Sequence, residues 1–396
     1  MANILIGVAR SVFPKRIDVS LDATDAEATP TYKTAAGGEV PSVTREKRPD
    51  VRFNRRATKV KVTVFGWKIW LVFEPVSKLP LAMKIDGINV ADNEHAYEVL
   101  AQARANVEGC ATVRSVALDR GFLDGKLLSR IEDDAKAIVY IPAKSNMTIT
   151  KDAREIARRA AALAAQGKTL PGCSYKERTD KVRHGSGKTA TVEERTTTVV
   201  RIRELPCDWW TKEGSTSAAN SKHFQPKLVN ATVVLRWDGA PKDAEKEVVI
   251  LDTDPSDDPF TGFNHYDDRS LIENTCNREA KESWFLEHHP KRSEAGVRTQ
   301  AYFVFTCMAL VTAFRLHMQA VEQAELRGEE TGIGRFRRQL EARNRDRVIV
   351  FCGNYFGVFR SYEVMLLLGA SVRERTLMGE SAETVLARHR AKLDSS

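Results

Sequence analysis

The chain lacks a C-x-x-C pair; its six cysteines, at positions 110, 173, 207, 276, 307 and 352, are scattered. That argues against a structural zinc module and fits a reducing compartment. A secretory leader is also missing, because MANILIGVARSVFPKR has no basic stretch ahead of a long apolar core. The longest uncharged run of note, 301–314, has fourteen residues. That is too short to span a bilayer as a helix, so it predicts a buried helix and no membrane partner. There is no internal repeat and no low-complexity tract. Charge of one sign is not strongly dominant either. Lys+Arg is 61 and Asp+Glu 53, a balance of +8 over 396 residues, which admits a polyanionic partner without requiring one. With 42% hydrophobic and 29% charged residues, wholesale disorder is excluded. The length suggests two or three structural units in a cytoplasmic protein.

What is present alternates in a definite order. Residues 16–24, 61–74 and 79–89 have strand character, the last two joined by a hairpin around 75–78. Helical spacing follows at 94–108, a short apolar strand at 113–118, a helix at 124–134 and a strand at 137–142. Three strands, then alternating helices and strands, predict an α/β mixed sheet flanked by helices. An Ala-rich helix is expected at 152–168. Beyond it lie short β-like runs at 189–205, 231–237 and 247–251, then a turn-rich segment, 252–265. The rest reads as helical, over 269–286, 296–327 and shorter pieces after 332. The expected partition is 1–168, the first part of an α/β core; 169–262, a β-rich insertion; and 263–396, the rest of that core with C-terminal helices.

Residues 41–61 carry eight basic side chains, Arg45, Lys47, Arg48, Arg52, Arg55, Arg56, Lys59 and Lys61, against Glu46 and Asp50. They read as a long basic loop, either solvated or in contact with phosphates, which Arg matches geometrically. Three acids sit at telling places: Asp22 in the first strand, Asp119 at the end of a later one, and Glu273 on a helix. Such carboxylates, converging over a sheet edge, are hard oxygen ligands for Mg²⁺ or Mn²⁺. Two such ions can clamp an in-line phosphoryl transfer. Around Glu273 the spacing Y-x2-R-x3-E puts Tyr266, Arg269 and Glu273 on one helix face. There Arg can hold a phosphate and Tyr can bond a phosphate or stack on a base.

With RIDVSLDATD (Asp22), ALDRGFLDG (Asp119) and YDDRSLIENTCNREAK (Tyr266, Arg269, Glu273), the sequence resembles the DDE transposases of bacterial insertion sequences. It looks in particular like the branch with the signature Y-x2-R-x3-E-x6-K. The resemblance runs from about residue 15 to residue 370. It implies an RNase H-like core holding two Mg²⁺ (Mn²⁺ can substitute), with Asp22, Asp119 and Glu273 as catalytic metal ligands. It also implies cleavage at transposon ends and strand transfer into target DNA. The partners implied are double-stranded DNA, as terminal repeats and target, and a second copy in a homodimer on DNA. The place of action would be the cytoplasm, on the nucleoid. Tyr266 and Arg269 would contact DNA near the cleaved end, with the basic loop's Arg48, Arg52, Arg55 and Arg56 as further DNA contacts. Asp18 and Asp25 are rivals to Asp22.

Two departures from the family pattern stand out. Position 280, where the signature has Lys, is Ala280, and Lys281 comes one residue later. In an ideal α-helix that step rotates it off the Glu273 face, so Lys281 either still contacts DNA through its long side chain, as the resemblance implies for that position, or the role is lost. Only 21 residues precede Asp22, fewer than a DNA-binding domain needs. A truncated, inactive DNA-binding remnant and an RNase H-like nuclease are therefore the alternative readings. Trp209 and Trp210 either stack on a base or pack the insertion. His184–Thr189 (HGSGKT) has Val182 where a P-loop needs its first Gly. His288 and His289 read as solvent-facing.

Overall fold

The computed structural model describes residues 14–47, 60–184, 191–212, 226–236, 247–289, 291–322, 347–352, 355–360, 363–364 and 387. Strand β1 (Arg16–Ala28) organises the rest. Its alternation sends Ile17, Val19 and Leu21 into one core and leaves Ser20 and Asp22 on the opposite face. On one side β1 pairs antiparallel with β3 (Val60–Glu74), with Asp22 opposite Leu71. The far half of β3 pairs antiparallel with β4 (Leu79–Gly87), across the expected hairpin. On its other side β1 runs parallel to β5 (Thr112–Leu118), and β5 runs parallel to β6 (Ile138–Pro142). The order β4-β3-β1-β5-β6, antiparallel twice and then parallel twice, is the RNase H-like arrangement.

Helices α1 (Ala96–Val107), α2 (Gly125–Ala135) and α3 (Thr148–Ala164) make the crossovers and cover one face. Their apolar stripes, such as Val99, Leu100 and Ala103, or Leu128 and Ile131, pack on Leu21, Val116, Leu118 and Val139. Asp124 caps α2 by accepting from the Leu127 N–H at 2.8 Å.

The β-like runs after α3 extend this sheet rather than forming one of their own. Strand β10 (Val248–Asp252) pairs with β6, followed outward by β9 (Lys227–Arg236), β8 (Thr191–Cys207) and β7 (Cys173–His184). A fully buried Arg201 on β8 ties β10 down, bonding Asp252 at 2.8 and 3.0 Å and the Asp254 carbonyl at 2.7 Å. The segment 41–61, expected to be one loop, begins with a strand, β2 (Ser42–Lys47), whose Val43 and Thr44 pair with Val64 and Thr63 of β3.

The opposite face is covered by the C-terminal helices of the larger compact unit, residues 1–326. Helix α4 (Phe260–Leu271) starts inside the segment expected to be turn-rich. It continues through a π turn (Ile272–Asn277) into α5 (Arg278–Ser283). Helix α6 (Glu294–Glu322) follows and packs Val297, Ala301, Val304, Phe305 and Met308 against Ile69 and Leu71. Its residues Glu294–Leu316 are long and apolar enough to cross a membrane by length and composition alone. The unit 327–396 was expected to be helical. Its described part instead contains an antiparallel pair, β11 (Arg347–Cys352) and β12 (Tyr355–Arg360). RVIVFC and YFGVFR are rich in β-branched and aromatic residues and flank a Gly-Asn dipeptide, a hairpin signal stronger than their helical spacing.

Candidate active site

Parallel pairing of β1 and β5 ends at Leu21 opposite Leu118. One residue further on each strand come Asp22 and Asp119, so two carboxylates stand side by side where β5 gives way to a 3-10 turn (Arg120–Phe122). The third acid arrives from the helical face. Ile272, Cys276 and Ala280 anchor the π turn and α5 in the core beneath Leu71, which turns Glu273 outward. Its side chain is 64% exposed, against 40% for Asp119.

Arg269 lies between the acids. Its guanidinium is 3.9 Å from Asp119 Oδ1 and 3.7 Å from Glu273 Oε2, and only 11% of the side chain is exposed. These separations are ion-pair contacts too long for good hydrogen bonds. The Tyr266 ring sits 5.4 Å from the same guanidinium, with the body of the residue half-buried against Ala117, Tyr140 and Ile250. Asp22 is the most buried of the three acids. Burial raises its pKa to about 7; the neighbouring Asp119 and Glu273 charges add to the rise, and the Ala23 backbone and Arg269 work against it. The three acids therefore feel one another across a single cationic side chain.

The rival acids of β1 are engaged elsewhere. Asp18 accepts from Arg114 and, at 2.6 Å, from Ser115. Although burial works to raise it, those bonds hold its carboxyl below the usual range. Asp25 is paired with Arg45.

The helix geometry revises the expectation for Lys281. A π turn takes one residue more than an α turn. Eight residues across it sweep about the angle that seven sweep in an α-helix. Lys281 therefore returns to the Glu273 side, where its Nζ pairs with Glu287 at 3.0 Å. Ala280, at the signature's lysine position, is fully buried. Asn277, which sequence reasoning missed, closes the π turn and donates from Nδ2 to Asp22 Oδ2 at 3.2 Å. Extending the four-residue step from Arg269 through Glu273 would have reached it.

Of the two tryptophans, Trp210 packs: it is 1% exposed within the core, and its buried ring offers no face to a base. Trp209, half-buried, stacks on it with ring centroids 5.9 Å apart. His289 is also not free in solvent, since its Nδ1 meets the Tyr32 hydroxyl at 3.2 Å. Arg48, Arg52, Arg55 and Arg56 lie outside the described residues, as does all of HGSGKT beyond His184. An open polar cavity of about 490 Å³ lies on the other face of β1, reaching Ala23 and Gly121 and lined by Arg45, Lys68 and Asp92.

Among the described residues no three His, Cys, Asp or Glu side chains are gathered closely enough to hold a metal ion. The donor set nevertheless fits a hard cation. It is all oxygen, and a positive group, the Arg269 guanidinium, already stands in among the carboxylates.

The transposase DDE domain family matches residues 14–238. No curated protein matches. Among solved structures the chain is similar to a piggyBac transposase in a synaptic complex with hairpin DNA, with a TM-score of 0.38 and 11% sequence identity. That alignment covers 83% of this chain and 52% of the other, so the chain spans about half of that protein's length. With the family matched over more than half of its residues, the chain belongs to the transposase DDE domain family.

Proposed function

We propose that the protein is a metal-dependent DNA transposase of the Y-x2-R-x3-E branch, cutting transposon ends and joining them to target DNA. The observation that carries this reading is the shared neighbourhood of Asp22, Asp119 and Glu273 around Arg269. The family match stops before Glu273, so that residue's role rests on geometry. Asp22, Asp119 and Glu273 would hold two divalent cations, Mg²⁺ or Mn²⁺. When bound, those ions supply charge neutralisation at the phosphate and a more acidic attacking water.

The chain's own residues do the rest. Arg269 leaves the carboxylates for a DNA phosphate once they are otherwise neutralised; its long ion pairs make that exchange cheap. Tyr266 lines the same edge. Lys281, on the Glu273 side, can trade Glu287 for a phosphate. Residues 1–168 and 263–396 supply the acids, while 169–262 widens the sheet beside them. Two copies on DNA would bring two transposon ends together.

The loaded arrangement of Arg269 also suits the second reading, a DNA-binding remnant that keeps its acids internally neutralised. One assay separates the two. With DNA spanning the sequences on either side of the reading frame, and with Mg²⁺ present, the full chain is expected to nick the element's ends. Asp119→Asn should reduce cleavage more than about 100-fold, since even outer-shell partners of a metal are worth 10–100-fold, and should leave DNA affinity within a few-fold. Binding without nicking by the unmodified chain would favour the remnant. Nicking without joining would favour a nuclease.

A further inference from the structure

We propose that Asn277 is a positioning residue of the acid centre: its amide holds one oxygen of Asp22 and so orients that carboxylate for a cation. This rests on the reading of the centre given above. Asn277 is 6% exposed and closes the π turn. Its Nδ2 is 3.2 Å from Asp22 Oδ2, while its own Oδ1 is buried and without a partner.

That pattern separates it from an ordinary helical asparagine. A capping or back-bonding Asn satisfies nearby backbone groups, and a packing position favours an apolar side chain. This one reaches across to another element and leaves its acceptor unmet, which a purely structural residue gains nothing from. Single π turns inside helices occur often at functional sites, and here the turn ends on the residue that meets Asp22.

The chemistry of the donor matters as well. The Arg269 guanidinium, also beside Asp22, carries a charge that competes with a metal ion. A carboxamide orients the carboxylate without adding charge, so its hold persists when the cation arrives. With the Ala23 backbone as a second donor, Asp22 is pre-oriented before loading, and less ordering remains for the metal to impose.

The test uses the full chain with Mn²⁺ as the probe. Asn277→Leu keeps the branched outline and removes the donor; Asn277→Ala, which adds no bulk, is its partner variant. Half-saturation by Mn²⁺ is read twice, by the electron paramagnetic resonance of free Mn²⁺ without DNA and by end cleavage with DNA. Both variants should need about tenfold more Mn²⁺ by either reading. They should bind DNA as the unmodified chain does and recover cleavage to within a few-fold at saturating Mn²⁺. A folded Asn277→Leu with unchanged Mn²⁺ dependence overturns the proposal, as does a reduced saturated rate with no change in Mn²⁺ half-saturation. Asp22→Asn, run alongside, keeps the two levels apart. If it still cleaves and binds Mn²⁺ normally, the acid centre itself is misassigned. If it is inactive while Asn277→Leu matches the unmodified chain, only the role of Asn277 fails.

Discussion

Asp22 is an acid with too many acids around it. Its pKa is raised from 3.8 to about 7, first by burial and then by Asp119 and Glu273. Between about pH 4 and 7 the folded chain therefore holds a proton that the unfolded chain has released. Stability falls as pH rises through that window and levels off above it. Asp22→Asn removes the titration. In buffer with a chelator, it should match the unmodified chain near pH 4 and exceed it by about 1–3 kcal/mol at pH 8, a figure discounted for partial exposure. Denaturant melts at the two pH values check this; equal gaps at both would mean that Asp22 is not strained by its neighbours. Added Mg²⁺ favours the ionised carboxylate, so it should raise the melting temperature at pH 8 and do little at pH 5. A shift of the same size at both pH values would place the binding elsewhere. At this scale the sequence was informative about types and less so about partners. It offered Asp18, Asp22 and Asp25 on one strand. Only the pairing of Asp18 with Arg114 and of Asp25 with Arg45 leaves Asp22 for the centre.

At the scale of elements, a close approach and a π turn hold the acid-bearing ends in place. Asp119 is followed by the 3-10 turn and then by α2, whose first residue is Gly125. A Cβ there would sit 1.9 Å from the Trp209 carbonyl oxygen. Gly125→Ala therefore pushes α2 off the end of β8. Against a helical gain of about 1 kcal/mol, overpacking of about 1–3 kcal/mol should win and lower the melting temperature by several degrees. A variant as stable as the unmodified chain would show that this contact yields. The π turn is the second device, since it restores Lys281 to the Glu273 side. Sequence periodicity does not show it, because an α-helical pattern carries a uniform step of about 100° per residue. Central strands and amphipathic helices were legible where burial forced a period of two or of about 3.6. The charged edge strands β2 and β7 were not. They carry charges along both faces, as strands exposed to solvent at an edge do. For the same reason SVTREK reads as loop in the sequence.

At the scale of the whole molecule, one continuous sheet carries both the acid-bearing strands and the β-rich segment. The β-rich character of 169–262 is legible from composition; that its strands continue the acid-bearing sheet is not. The shared core, in which Val200, Val229 and Val233 join Leu21 and Leu118, could not be read from a linear chain. Nor could the buried Arg201–Asp252 pair, because each residue alone looks like an ordinary charge on a strand. The RNase H-like order itself was more accessible, since three strands before the first helix followed by alternation limits the topologies available. Fold and site depend on each other at this level. Residues separated by more than two hundred positions meet only because β1 lies between β3 and β5 and the α4–α5 helix crosses the opposite face.

The most direct test of that meeting is the anomalous scattering of Mn²⁺ in crystals of the full chain with DNA ends. The account predicts Mn²⁺ density about 2 Å from carboxylate oxygens of Asp22, Asp119 and Glu273, with Arg269 turned to a phosphate. Crystals saturated with Mn²⁺ in which Arg269 still bridges Asp119 and Glu273, and no density lies among the three acids, would contradict it.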